Sequence, residues 1–440
     1  MRLVFSFLLL VCSGFLYAQS SLLQSGPMLG YNEMREVLIW VQTTQAAKVQ
    51  IAYRAKQKGT RNHFSTSVYT QKETAYTAKI PLTDLEPGQS YSYQVLINEQ
   101  LIDLPYPTTF TTQPLWQWRS DPPAFTIALG SCAYVGEAQY DRPGDPYGGD
   151  YHIFTHIHED QPDLMLWLGD NTYLREVDWH SRSGIQHRFT HTRSLPEMQA
   201  LLASAHHYAI WDDHDYGPNN SDRSYIYKDI VRETFCQFWG NPTCGIPQLE
   251  GGITSYFQYA DLDFYLLDNR YFRSPNNRET TKPTILGKQQ LEWLIDALTF
   301  SRAPFKLICI GGQVLNTYQG YENYANLAPE ERAYLLSRIE EEGITGVIFL
   351  TGDRHHTELS HYVNANGHSV YDLTVSPLSS GAGRPRKETN ELRVAGTMVN
   401  QRNYGLIHVS GPRKARRIQI EIKDSDGQLL WTRLITETEE

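Results

Sequence analysis

The stretch Leu164-Met165-Leu166-Trp167-Leu168-Gly169-Asp170-Asn171-Thr172-Tyr173 decides the architecture. Five apolar residues in a row are too few for a helix and read as a strand buried on both faces, the kind found in parallel sheets. At its carboxyl end, Gly-Asp delivers a carboxylate to the sheet edge where open α/β sheets bind ligands, and a carboxylate there is a candidate metal bridge. A Gly-Asp pair also suits a turn or a helix cap, so the stretch gains meaning only if other strands end alike.

They do. The apolar run 125–129 leads into Gly130-Ser131-Cys132, and the run 205–210 into Trp211-Asp212-Asp213-His214-Asp215-Tyr216-Gly217-Pro218-Asn219-Asn220. Residues 264–267 precede Asp268-Asn269-Arg270, residues 305–310 precede Gly311-Gly312-Gln313, and residues 347–350 precede Thr351-Gly352-Asp353-Arg354-His355-His356. Three acids and a His within four residues, Asp212 to Asp215, repel one another when buried without cations. Trp211 and Tyr216 argue against a merely solvated loop, which favours a metal or phosphate site. Asp353-x-His355 offers one hard oxygen and one borderline nitrogen donor to a single centre. Gln313 adds a neutral oxygen ligand, and Arg270 a fork suited to phosphate.

Helical stretches at 287–298 and 329–342 alternate with these strands, so residues 124–440 read as a layered α/β domain. It ends in a hairpin, 404–409 and 417–422 around Gly411-Pro412, followed by 429–434. Residues 21–112 have a different rhythm. Strand-sized runs at 37–41, 49–53 and 91–95, with Tyr91 where sandwich domains fix a corner, predict an immunoglobulin- or fibronectin-III-like sandwich. Gly26-Pro27-Met28-Leu29-Gly30 reads as turn chemistry opening that domain, and the prolines of 113–123 as a linker.

At 440 residues, with 28 Tyr and 9 Trp, the chain has ample material for two cores. A formal charge of −10 leaves no basic footprint for nucleic acid. Arg2, the apolar run 3–11 and a small-residue exit at Ala18 have the layout of a secretory signal peptide over 1–18, too short to span a bilayer. Lipidation at Cys12 is the less favoured alternative, since Val11 is a poor neighbour for it. Export to the periplasm or exterior favours oxidised cysteines, and Cys236 and Cys244 are close enough to form a local disulfide. Cys309, inside an apolar strand, reads as a buried thiol.

Taken in order, Gly-Ser-Cys132, Gly-Asp170-x-x-Tyr173, Trp-Asp-Asp213-His214-Asp, Leu-Asp-x-Arg270, Gly-Gln313 and Gly-Asp353-x-His355 resemble the motifs of the PhoD-like alkaline phosphatase family, a branch of the metallophosphatases. The resemblance implies a layered αββα catalytic domain and hydrolysis of phosphate mono- or diesters by a metal-activated hydroxide at a centre of Fe(3+) and Ca(2+). It implies Cys132 and Tyr173 as iron ligands, Asp170 as the bridge, and Asp213 as a ligand of the second metal. His214 takes the place of the catalytic His, and Asp353 and His355 form the closing ligand pair. Asn219 or Asn220, with Gln313, would complete an oxygen-rich calcium site. Arg270 would hold charge on the phosphoryl oxygens. Small phosphate esters are the expected partners, phospholipids and nucleotides among them.

A competing expectation is an exported surface-binding protein with structural calcium. A thiolate and a phenolate beside the acids speak against it, because calcium prefers hard oxygen donors. Two segments, 175–193 and 377–403, are expected to form rims or lids.

Overall fold

The computed structural model describes residues 22–57, 59–383 and 388–436; the expected leader and Cys12 lie outside the described residues. The described residues form two central sheets. The larger has nine strands in the spatial order 429–436, 417–424, 403–410, 125–130, 164–168, 206–210, 23–32, 37–43 and 77–82. The smaller has six: 255–259, 262–266, 306–309, 347–351, 369–374 and 358–363.

Burial shows how these stack. One apolar core joins Ile127, Leu166 and Ile210 of the large sheet to Phe264, Leu307 and Leu350 of the small one. A second lies between the opposite face of the large sheet and the helices Ile153–Glu159, Arg182–Arg193 and Lys228–Phe238. The third packs Lys288–Phe300 and Pro329–Glu341 against the outer face of the small sheet through Leu291, Leu294, Leu335 and Ile339. The order is therefore helix, sheet, sheet, helix, the layering in which each apolar face is covered once. Residues 175–193 belong largely to this frame. Ile185, Arg188 and Phe189 are buried, so the segment is wall where a rim or lid was expected.

The N-terminal β region has its own core of Val37, Ile39, Val49, Ile51, Ala78 and Tyr93. One of its layers is a six-stranded sheet built on Lys48–Ala55 and Ser90–Ile97. Tyr91 makes the expected corner, its hydroxyl accepting the Glu86 N–H at 2.9 Å. The other layer is the far end of the large sheet. Residues 26–30, expected to be a turn, sit inside the strand Leu23–Asn32, which is bulged at Gly26 (φ 89°) and pairs in parallel with the strand His206–Ile210 at Leu29 and His206. The bulge lets Pro27 lie in a strand without breaking the ladder on both sides. Nor is the linker free. Gln113 donates to Asn32 O at 2.7 Å and to Gln258 O at 3.1 Å, and accepts from Ala260 N at 3.0 Å. Cys236 and Cys244 form the disulfide.

Candidate metal centre

Parallel register aligns the strand ends. Ile127 pairs with Leu164 and Gly130 with Trp167, while Leu164 pairs with His206 and Leu168 with Ile210. Cys132, Asp170 and Asp212-Asp213 thus emerge side by side. In the small sheet Leu266 pairs with Cys309 and Cys309 with Leu350, which aligns Asp268-Asn269-Arg270, Gly311-Gly312 and Gly352-Asp353. The two rows of strand ends face each other across a very narrow gap. Across the gap a Cβ on Gly352 would stand 2.6 Å from Ser131 Cβ, and within the large-sheet row one on Gly169 (φ 93°) would stand 2.7 Å from Asp212 Cβ. The Gly of each Gly-Asp pair is what permits the approach.

Three overlapping triads result. Cys132, Asp170 and His355 form one, Asp170, Asp213 and His214 a second, and Asp212, Asp213 and Asp353 a third, with ligand atoms in each within 4.8 Å of one another. Asp170 and Asp213 are each common to two triads, and Asp170 is the one that links the sulfur-bearing triad to the next, as a bridging carboxylate would. The Tyr173 hydroxyl joins the first, 3.3 Å from Asp170 Oδ2 and 3.5 Å from His355 Nε2. Cys132 Sγ is 3.6 Å from the same Asp170 oxygen. Four of these donors sit on left-handed backbone: Cys132 (φ 58°), Asp170 (φ 53°), Asp353 (φ 67°) and His355 (φ 54°). Non-glycine residues seldom adopt this region, and clusters of them mark working sites.

The electrostatics call for cations. Burial, aided by the charges of Asp213 and Cys132, pushes the Asp170 carboxyl well above its ordinary range. Burial and the charges of Asp212 and Asp213 push Asp353 up to about 7. Asp213 alone is held low: burial opposes ionisation, but His214, Arg270 and the Asn220 N–H at 2.6 Å outweigh it. Burial also raises the Cys132 thiol to about 12 and the Tyr173 phenol well above its usual value. Burial thus favours the protonated forms of Asp170, Cys132 and Tyr173, whose protons metal ions would replace. Asp212 Oδ2 is buried with no hydrogen-bond partner among the described residues. Sulfur, phenol, imidazole and shared carboxylate suit a transition metal, and the all-carboxylate triad suits a harder cation.

The triads open into a cavity of about 1130 Å³ lined by Asp170, Asp213, His214, Asn219, Asn220, Asp353 and His355, among others. His214 stacks on Tyr173 with ring centroids 4.3 Å apart, which fixes the imidazole at the floor. The rim comes partly from the expected segment 377–403, through Gly381, Arg393 and Asn400.

Two residues differ from expectation. Gln313 does not face the cavity: its amide donates to Glu358 and Thr374, both at 2.8 Å, and accepts from Asn316 at 2.8 Å. A buried carboxylate, Glu358, captures it before a metal can. Arg270 is likewise spent. Its Nε donates to Asp212, and its Nη2 to Glu322 at 2.7 Å, so it neutralises the acid cluster where a phosphate contact was expected. Missed altogether were Glu322, which has no strand-end motif to announce it, and Tyr147, whose hydroxyl lies 3.2 Å from His355 Nδ1. Asp215, the third acid of its loop, caps a short helix by accepting the N–H groups of Asp212 and Thr172.

Comparison with known proteins places most of the chain in one family. The family described as PhoD-like phosphatase matches residues 127–420, and one described as a domain of unknown function (DUF7800) matches residues 20–114. Among solved structures, one titled "Structure of PhoD" superposes with a TM-score of 0.74 at 16% identity, covering 94% of this chain and 92% of that one. A Vps29 from Chaetomium thermophilum aligns at 9% identity and a TM-score of 0.26, over 72% of this chain and all of its own. No curated protein matches. With two thirds of its length matched by one family description and its strand ends converging on shared carboxylates, the chain belongs to the PhoD-like phosphatase family.

Proposed function

We propose that this protein is an exported, metal-dependent phosphoesterase acting on mono- or diesters of small molecules, phospholipids and nucleotides among the possible substrates. The observation that carries the reading is Asp170, shared by two ligand triads at the floor of a cavity far larger than one phosphate. Cys132, Asp170, Tyr173 and His355 would hold Fe(3+); Asp170, Asp213 and Asp353, with Asn219 at the rim, would hold Ca(2+). Metal ions there would polarise the phosphoryl group and make water a competent nucleophile at neutral pH.

The protein's own groups do the rest. Asp170 sets the spacing of the two sites, its Oδ1 held by the His214 N–H at 3.2 Å. Arg270 pairs with Asp212 and helps to hold the Asp213 carboxyl low without touching substrate. His214, only partly buried and pinned by Tyr173, faces the cavity and would give a proton to the departing oxygen. The narrow floor excludes bulk water from the acids, which strengthens their hold on cations.

The test pairs metal analysis with hydrolysis of p-nitrophenyl phosphate and bis-p-nitrophenyl phosphate by wild type and Cys132→Ala. Iron with a visible absorption band, lost together with activity in the variant, supports the reading, and the ratio of the two rates assigns the ester class. Calcium without iron, no colour and no hydrolysis on metal supplementation would instead favour a binding protein with structural calcium.

A further inference from the structure

The strand Ser369–Thr374 runs on into Val375-Ser376-Pro377-Leu378-Ser379-Ser380, all of it buried. This segment closes over the turn that carries Cys132. Leu378 N–H donates to Ser131 O at 2.8 Å, and Ser380 N–H donates to Cys132 O at 3.1 Å. The left-handed Cys132 is thereby fixed from behind. Ser376 touches the centre itself: its Oγ accepts the His355 backbone N–H at 3.0 Å and lies 3.2 Å from Cys132 Sγ.

A hydroxyl has one proton to give. With its oxygen already accepting from His355, Ser376 directs that proton at the sulfur. Ser131 Oγ is also near, at 3.6 Å, but its proton goes to Val375 O at 2.8 Å. One side chain therefore connects two of the four donors of the Cys132 site.

We propose that Ser376 is a positioning residue of the metal centre: its hydroxyl holds Cys132 Sγ in register with His355 and, by hydrogen-bonding to the sulfur, sets how strongly the thiolate donates to the metal. This rests on the reading of Cys132 as a thiolate ligand. A hydrogen bond to a ligating sulfur stabilises its filled orbital, which raises the energy of sulfur-to-metal charge transfer and raises the reduction potential of the metal. In a buried site the effect is larger than it would be in water.

The experiment compares wild type with Ser376→Ala, Ser376→Thr and Ser376→Cys, each loaded with iron and, separately, with cobalt(II). The sulfur-to-cobalt band separates the thiolate from the Tyr173 phenolate. In Ser376→Ala the sulfur band moves to longer wavelength and the iron midpoint potential falls. Ser376→Cys, similar in size but a weaker donor, moves both the same way by less, and Ser376→Thr, which keeps the hydroxyl, returns both towards wild type. Unchanged band and potential in metal-loaded Ser376→Ala overturn the proposal. So does a folded Ser376→Ala that takes up neither metal, since the role would then be structural alone. Wild type that binds metal without any sulfur band overturns the ligand reading itself, a failure seen before any variant is compared.

Discussion

Arg270 and Asp212 form a fully buried ion pair, guanidinium Nε against carboxylate Oδ1, beneath the floor of the cavity. Glu322 holds the other end of the same guanidinium at 2.7 Å. The strand-end Arg thus serves the acids, and only through them the substrate. Arg270→Ala leaves Asp212 without its cation while Glu322 keeps Arg273, and breaking a buried pair from one side costs about 3–5 kcal/mol. Urea denaturation of the metal-free protein should show that loss, with metal content reduced as well. An unchanged midpoint would mean that Arg270 is free to serve substrate after all.

Gln313 supplies the converse test. Because its amide is consumed by Glu358, Thr374 and Asn316, Gln313→Ala should retain full metal content while losing about 1–3 kcal/mol, the cost of leaving buried polar groups unpaired. Metal analysis of the purified variant decides between this role and that of a ligand.

His214→Ala should keep the protein folded and lower kcat by about 10²–10⁴-fold, the usual contribution of a positioned proton donor. A substrate with a better leaving group should recover most of the loss, since it needs no proton. Equal losses for good and poor leaving groups would assign the imidazole to metal binding.

Acid should attack the junction between the two units. Burial holds His206 down at about 4 and His207 at about 3. His206 Nδ1 donates to Gly30 O at 2.7 Å, and His207 Nδ1 accepts the Trp167 indole N–H at 2.9 Å. The folded chain therefore keeps both rings neutral while the unfolded chain protonates them near 6.5. Their contribution is complete above pH 6.5 and is lost as pH falls towards 4 and then 3, by about 3 kcal/mol for His206. In His206→Gln, stability measured by urea midpoint should fall less steeply between pH 6.5 and 4 than in wild type.

Much of this was legible because the informative residues come directly after apolar runs. The strand Leu164–Leu168 was read to the residue, and Cys132, Asp170, Asp213, Asp353 and His355 all meet at one place, because parallel register turns a list of strand ends into a row. What misled was competition inside the protein. Gln313 and Arg270 have the right chemistry at the right strand ends, but Glu358, Asp212 and Glu322 claim them first, and no local pattern announces a partner dozens of residues away. Residues 26–30 failed for a different reason: glycine and proline mark turns and bulges alike, and only the neighbouring strand at His206 settles which.

The left-handed turns at Cys132, Asp170, Asp353 and His355 place this centre in tension with the fold that carries it. Each such residue costs on the order of 1 kcal/mol against glycine. Replacing Asp170 or Asp353 with Gly would relax the backbone and also thin out the crowded acids. A library of this protein selected for heat resistance in the presence of chelator should therefore drift towards glycine at these four positions. The survivors would be sturdier and inert, because what makes the site work is what the empty scaffold would discard.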